Sequence, residues 1–251
     1  MTLIFRRKNK FYLTGLLTLI LVMACNANAA EDNHASNSPA ANSFRDCPDC
    51  PEMVIIPSGS LLSESSNGRD EENSTPRISI ERSFALEKTK VTQGQWKAVM
   101  GNNPSDFSNC GDDCPVESVS WNDAQEFIRK LNAKTGKQYR LPTATEWEYA
   151  CYGGIRTKYC GGNDPETLAW TDSNSYGYPH PVGLKQANGY GLLDMSGDVW
   201  EWTSDCDSSN CVLRGGSWGY DQQYARAAIR ARFKPTYRSS CDGFRVARVL
   251  P

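Results

Sequence analysis

The chain has 251 residues, of which 39% are hydrophobic and 22% are charged, and 27 lysines and arginines against 29 aspartates and glutamates give a formal net charge of −2. This length is enough to bury one large hydrophobic core, and the balanced charge excludes a disordered acidic chain and a strongly basic nucleic-acid-binding protein. The sequence contains only two histidines, so a metal centre built from three histidines of one chain is excluded as well.

The amino-terminal residues have the pattern of an export signal. Four basic residues precede an apolar run over residues 11–23, which has about the length of a signal-peptide core and is too short for a comfortable transmembrane helix. The run ends in Val-Met-Ala-Cys, so the pattern predicts a lipoprotein signal peptide over residues 1–24 with Cys25 as the lipidated residue. Cleavage after Ala29, in the sequence Ala-Asn-Ala, is the alternative.

The predicted export has consequences for the location and the partners of the protein. Removal of residues 1–24 takes away four positive charges and no negative one, so the net charge falls from −2 to −6, which disfavours a nucleic-acid partner. Residues 25–46 are small and polar and are predicted to form a flexible tether to a folded domain over residues 47–251. We expect a protein of the cell envelope, an outer-membrane or surface lipoprotein with a membrane anchor and a protein or surface ligand.

Eight cysteines occur as four pairs that are close in sequence. An oxidising compartment favours disulfides over a redox or zinc role for these residues, although eight cysteines allow many connectivities. The simplest assignment joins Cys47 to Cys50, Cys110 to Cys114, Cys151 to Cys160, and Cys206 to Cys211. If Cys25 is acylated, Cys241 is left over, either as a free thiol or as an unusual position.

The domain begins with short strands and continues with three helices. The apolar run after Glu52 and the alternating residues 77–92 predict strands. Each predicted helix begins at a capping serine or threonine and ends at a glycine: residues 92–100, 120–135 and 143–152. No later segment has helical periodicity, so residues after Gly153 are predicted to form loops between short strands.

Seven motifs in one fixed order resemble a known protein family. They read MVIIPSGS, EKTKVTQGQW, PVESVSWNDAQEF, RLPTATEWEYA, GYGLLDMSGDVWEWTSD, VLRGGSW and GFRVAR. Together they resemble the formylglycine-generating enzyme (sulfatase-modifying factor) family over about residues 52–250. The resemblance implies an α+β fold, a variant of the C-type lectin fold with little regular secondary structure.

The resemblance does not extend to the oxidative chemistry of that family. Its sulfatase-activating members bind copper through two cysteines that follow the Gly-Gly-Ser motif, and soft thiolates suit Cu(I). The matching positions here are Tyr220 and Ala225, with no cysteine nearby in sequence. Related sulfoxide synthases hold iron on three histidines, which this chain lacks. We therefore expect no catalytic residue of the family, no copper and no iron.

A calcium site is implied by the resemblance of one loop. The matching ligands are the side chains of Asp194 and Glu201 and the backbone carbonyls of Gly197 and Val199. Oxygen donors at alternating loop positions are the ligands that Ca²⁺ prefers, and the ion would be structural. The alternative is that Asp194 caps a turn while Glu201 pairs with a nearby arginine.

The carboxyl-terminal segment is similar to the variable proteins of diversity-generating retroelements. Between residues that look like a fixed frame, it carries mixed aromatic, hydroxyl and charged residues suited to recognition. The predicted ligand-binding residues are Tyr220, Asp221, Ile229, Arg232, Phe233, Thr236, Tyr237, Ser239, Ser240 and Asp242. Four frame arginines are expected to be donors that fix loops rather than a phosphate patch: Arg226, Arg230, Arg238 and Arg245.

Three functions remain open at the level of sequence. The leading hypothesis is an exported, lipid-anchored protein whose non-catalytic domain binds a ligand through its carboxyl-terminal loops, with diversification of these loops by a retroelement as a further part of the hypothesis. The alternatives are a divergent oxidoreductase of the same family acting in the periplasm, and a structural subunit of an envelope complex. The word lectin describes the fold and implies no sugar ligand.

Overall fold

The structure is a computed structural model that describes residues 43–62 and 77–251. The predicted signal peptide over residues 1–24, the predicted lipidation at Cys25 and most of the predicted tether lie outside these residues. Within the described part of the chain, every helix is too short or too polar to cross a bilayer.

In residues 43–62 and 77–251, short strands alternate with four α-helices. The helices are α1 (Gln93–Met100), α2 (Trp121–Thr135), α3 (Ala144–Tyr152) and α4 (Pro165–Leu168). The strands are β1 (Ser43–Phe44), β2 (Met53–Ile56), β3 (Gly59–Leu62), β4 (Arg77–Ile80), β5 (Phe84–Glu87), β6 (Tyr139–Arg140), β7 (Ala169–Trp170), β8 (Ser196–Gly197), β9 (Trp200–Cys206), β10 (Cys211–Arg214), β11 (Arg230–Phe233), β12 (Asp242–Gly243) and β13 (Ala247–Arg248).

The three predicted helices are confirmed with their predicted caps. The hydroxyl oxygens of Thr92, Ser120 and Thr143 accept hydrogen bonds from backbone N–H groups three residues later, and a glycine in the left-handed region ends each helix. The short α4 differs from the expectation of no helix after Gly153. It begins at a capping Asp164 followed by a proline, and four residues are too few to produce a helical period in the sequence.

Two main sheets organise the domain. The five-stranded sheet has the order β1-β2-β5-β13-β6, so that the last strand of the chain lies between early strands. The four-stranded sheet has the order β11-β10-β9-β12 and contains the carboxyl-terminal segment. Strand β12 runs parallel to β9, whereas β10 is antiparallel to both of its neighbours. The carboxyl-terminal segment is therefore joined to both sheets.

Aromatic rings fill the core between α1, α2 and the carboxyl-terminal segment. Phe127 of α2 stacks on Trp96 of α1, with ring centroids 5.4 Å apart, and Phe244 meets both rings edge-on. All three side chains are buried. Such pairs stabilise a core beyond the area that they bury, and here they fix the segment that ends at β12 against two helices.

All four predicted disulfides are present. They join Cys47 to Cys50, Cys110 to Cys114, Cys151 to Cys160 and Cys206 to Cys211. Cys241 is the free cysteine of the described residues. Two of the disulfides, Cys47–Cys50 and Cys110–Cys114, close short loops, whereas Cys151 lies in α3 and Cys206–Cys211 joins the paired strands β9 and β10.

Candidate functional site

The segment after β10 exposes a row of aromatic side chains. Tyr220, Tyr224 and Tyr237 are 37%, 41% and 40% exposed. Tyr220 packs edge-on against Tyr224 at 5.6 Å, and Phe233 of β11 stacks on Tyr237 at 4.5 Å. We refer to Tyr220, Tyr224, Phe233 and Tyr237 as the aromatic surface.

The two halves of the aromatic surface are close enough to interact. Burial raises the pKa of the Tyr220 hydroxyl group. Four ionisable neighbours add to the effect because they disfavour a negatively charged Tyr220: Cys241, Asp242, Tyr237 and Tyr224. The sequence predicted Tyr220, Phe233 and Tyr237 as binding residues. It missed Tyr224, whose signal was present in the same run, Gly-Tyr-Asp-Gln-Gln-Tyr.

A recess of about 550 Å³ lies beside Phe233 and Tyr237. Its lining combines rings, cations and polar groups, among them the predicted Arg232 and Thr236. Arg232 pairs with Asp207 at 3.0 Å, and both side chains are about half exposed. An exposed pair of this kind contributes little to stability, so Arg232 can exchange its partner for a ligand at small cost.

The backbone beneath the aromatic surface is fixed by contacts with distant segments. The N–H groups of Ser118 and Asn122, at the start of α2, donate to the carbonyls of Ser239 and Pro235 at 3.0 and 3.2 Å. Arg238 makes two hydrogen bonds to the Asp123 carboxylate, at 2.7 and 2.8 Å. A surface held in this way loses little freedom when it binds a ligand.

Other predicted binding residues serve the scaffold. Asp221 caps the short helical turn Gln222–Ala225, and Ile229 is half-buried against the core. The Ser240 carbonyl accepts a hydrogen bond from the Trp218 indole at 3.0 Å. Asp242 is only 2% exposed, so it lies beneath the surface where we expected it to form part of it.

Of the two positions that match the copper-binding cysteines of the family, only that of Tyr220 lies on this surface. Tyr220 is partly exposed and Ala225 is fully buried. In the folded chain, Cys241 lies close to the Tyr220 position. Its sulfur would be 3.4 Å from a Cβ atom placed on the preceding residue, Gly219. Burial raises the pKa of the Cys241 thiol. One protonated thiol is not the thiolate pair that suits copper, so these described residues do not fit that metal.

The loop from Asp194 to Glu201 has the geometry of the alternative to a calcium site. The Asp194 carboxylate accepts a hydrogen bond from the backbone N–H of Gly183 at 2.5 Å. Glu201 is fully buried, and its carboxylate forms an ion pair with Arg245 at 2.7 Å. One ligand position therefore caps a turn and another pairs with an arginine, while Oδ1 of Asp194 is buried without a hydrogen-bond partner among the described residues.

The frame arginines act as donors within the domain, Arg245 to backbone carbonyls and Arg230 to a carboxylate. Arg245 is fully buried and donates to the carbonyls of Glu87, Lys88 and Leu193. Arg230 is half exposed and pairs with buried Glu148 at 3.0 Å. The sequence missed a further fully buried donor, Arg214.

Comparison with known proteins supplies a family. Residues 39–250 match the model described as a sulfatase-modifying factor enzyme 1-like domain. The chaperone protein LppX of Paenibacillus barcinonensis is 28% identical, over 78% of this chain and 89% of that protein. The inactive C-alpha-formylglycine-generating enzyme 2 of Bos taurus is 36% identical, over 53% of this chain and 50% of its own length.

A solved structure supports the same relationship. Variable protein 1 of Treponema denticola is 28% identical and superimposes with a TM-score of 0.71, covering 84% of this chain and 99% of that chain. The chain spans about half the length of the formylglycine-generating enzymes that it matches. Their full activity cannot be carried over from a match of that extent.

Proposed function

Because the chain belongs to the sulfatase-modifying factor enzyme 1-like domain family, we propose that it is a non-catalytic member that binds a ligand through its aromatic surface. The observation that carries this proposal is that other residues replace the two copper-binding cysteines of the family. Tyr220 and Ala225 stand there, and Tyr220 begins the aromatic surface. The match and the structural likeness also confirm the α+β variant of the C-type lectin fold.

The names of the relatives fit a binding role. One relative is called inactive and another is called a chaperone protein, which favours a protein as the ligand of this chain. A third is called a variable protein. We extend that property to the carboxyl-terminal segment, whose residues between Gly219 and Asp242 would vary while the frame arginines stay fixed.

The chemistry of the aromatic surface suits recognition. A tyrosine ring offers a large contact area with a polar hydroxyl and has few rotatable bonds, so fixing it on binding costs little entropy. Tyr220 and Tyr237 already have ring neighbours at 5.6 and 4.5 Å that hold them in place. Arg232 and Thr236 add donors at the edge of the recess.

We also propose that the protein is exported and anchored to the cell envelope through a lipid on Cys25. The four disulfides of the described residues favour an oxidising compartment. The Cys25→Ser variant should leave the membrane fraction and appear in the soluble fraction, with disulfides unchanged. Continued fractionation with membranes would contradict lipid anchoring.

The binding proposal is tested by site-specific photo-crosslinking in the native envelope. A photoreactive phenylalanine analogue replaces Tyr224, and in a matched control it replaces Leu184, which is 60% exposed and belongs to another segment. We expect a discrete adduct from position 224 that excess unlabelled wild-type protein suppresses. The Tyr220→Ala and Tyr237→Ala double variant should not suppress it.

Two results would contradict the proposal. One is the same set of adducts from positions 224 and 184, which would mean unspecific contact. The other is a loss of cooperative unfolding in the double variant, which would show that Tyr220 and Tyr237 belong to the core. Because both rings are more than one-third exposed, we expect the double variant to unfold cooperatively.

A further inference from the structure

The side chain of a buried lysine reaches the loop that the family resemblance assigned to calcium. Lys90 stands between β5 and α1, and its side chain is 1% exposed. Its ammonium group donates a hydrogen bond to the main-chain carbonyl of Asp194 and lies 3.4 Å from Oε1 of Glu201. The ammonium thus contacts both ends of the loop, Asp194 and Glu201.

The Glu201 carboxylate has no oxygen left for a metal ion. Its Oε2 accepts hydrogen bonds from the Trp147 indole at 2.6 Å and from Nε of Arg245 at 2.7 Å. Its Oε1 accepts from Nη2 of Arg245 at 2.9 Å and faces the Lys90 ammonium. Two cations and one indole donor therefore take up the oxygens that would bind calcium.

Two cations face the Glu201 carboxylate where the family resemblance places a divalent ion. Arg245 lies 2.7 Å and the Lys90 ammonium 3.4 Å from its oxygens, and all three side chains are buried. A buried charge is tolerated when it is paired and hydrogen-bonded. A calcium ion at the same place would meet an ammonium and a guanidinium group at contact distance, and like charges repel strongly in a buried site.

The other carboxylates of the loop, those of Asp194 and Asp198, are each engaged through one oxygen, whereas their second oxygens are buried without a hydrogen-bond partner among the described residues. One oxygen of Asp194 accepts from the N–H of Gly183, and one oxygen of Asp198 accepts from the N–H of His180 at 3.0 Å. The loop backbone is linked to the binding segment, since Trp218 N–H donates to the Asp198 carbonyl at 2.7 Å. The cations that stabilise the loop therefore also stabilise the base of the aromatic surface.

From these contacts we infer that the Lys90 ammonium, together with Arg245, replaces a calcium ion in the loop from Asp194 to Glu201. The domain keeps the loop of its family but stabilises it with side chains of its own. Its stability is then independent of free calcium, and so is ligand binding at the aromatic surface.

Thermal unfolding of the wild-type protein tests the inference directly. A site filled to one hundred times its Kd would raise the melting temperature of a domain of this size by about 5–10 °C. We expect equal melting temperatures in excess EGTA and in millimolar CaCl2, and no calcium retained by the purified protein in elemental analysis. A calcium-dependent rise together with one bound calcium per chain would overturn the inference.

A pair of variants tests the role of the ammonium itself. Lys90→Met keeps the aliphatic stem and removes the charge, and the exposed Lys137→Met is the control. Loss of one partner from a buried ion cluster should lower the melting temperature by about 6 °C or more, whereas the control should leave it unchanged. Equal melting temperatures for the two variants would contradict the inference. If Lys90→Met does not fold, the wild-type calcium measurement still decides.

Discussion

Replacement of Arg214 by lysine should destabilise the domain strongly although the charge is kept. Arg214 is fully buried, and burial lowers its pKa to about 10, so it stays charged at neutral pH. Its guanidinium group donates to Glu148 at 2.8 Å and to the carbonyls of Ala227, Ala228 and Ile229 at 2.9, 3.1 and 2.6 Å. These carbonyls belong to the turn that leads into β11.

The size of the effect follows from the number of lost hydrogen bonds. A lysine ammonium is a compact group that cannot reach four acceptors spread around a planar fork. We expect at least two buried carbonyls to lose their donor, and each such loss costs about 1–3 kcal/mol of the free energy of unfolding. At about 2–4 °C per kcal/mol for a domain of this size, the loss of two such hydrogen bonds in Arg214→Lys should lower the melting temperature by about 4–24 °C.

Differential scanning calorimetry of the purified protein measures this shift. The control is Arg232→Lys on the adjacent strand, where the side chain is 55% exposed and pairs with an exposed aspartate. Surface pairs of that kind contribute about 0–1 kcal/mol, so the control should change the melting temperature by no more than a few degrees. Equal shifts for the two variants would refute the reasoning from buried carbonyls.

Two further predictions concern titratable groups under the aromatic surface. Burial raises the pKa of Asp242 to about 7, whereas an aspartate in an unfolded chain has a pKa of about 3.9. Between these values the folded state binds more protons than the unfolded state, so the domain loses stability as the pH rises from about 4 to 8. Asp242→Asn should therefore be more stable than the wild type at pH 8 and nearly equal at pH 4 in urea unfolding, and parallel pH profiles would contradict this. Because burial also raises the pKa of Cys241, its thiol in a Cys25→Ser background should react slowly with a disulfide reagent until urea unfolds the domain; rapid reaction of the native protein would be the contrary result.

Local structure was readable from the sequence because its causes are local. The capping boxes at Thr92, Ser120 and Thr143 lie within four residues, and each helix ends at the glycine that the sequence offers. The disulfides join cysteines three to nine residues apart, so chain proximity alone selects the right partners.

The candidate site depended on contacts that sequence spacing does not reveal. Glu201 meets Arg245 and Lys90, which lie far away along the chain. The loop itself identifies neither partner, although a pair with an arginine was one of the two alternatives that the sequence left open. Cys241 approaches the position of Tyr220 only after β12 pairs with β9. Asp242 shares the polar character of a surface residue, yet the same pairing buries it.

Oxygen consumption after metal loading tests the central claim most directly. The purified protein is incubated with copper or iron and a thiol reductant, freed of unbound metal and placed in an oxygen electrode. A non-catalytic binding domain with Tyr220 and Ala225 in place of the copper-binding cysteines should retain no stoichiometric metal. It should consume oxygen no faster than the reductant does without protein. One bound copper or iron per chain with sustained dioxygen turnover would contradict the account.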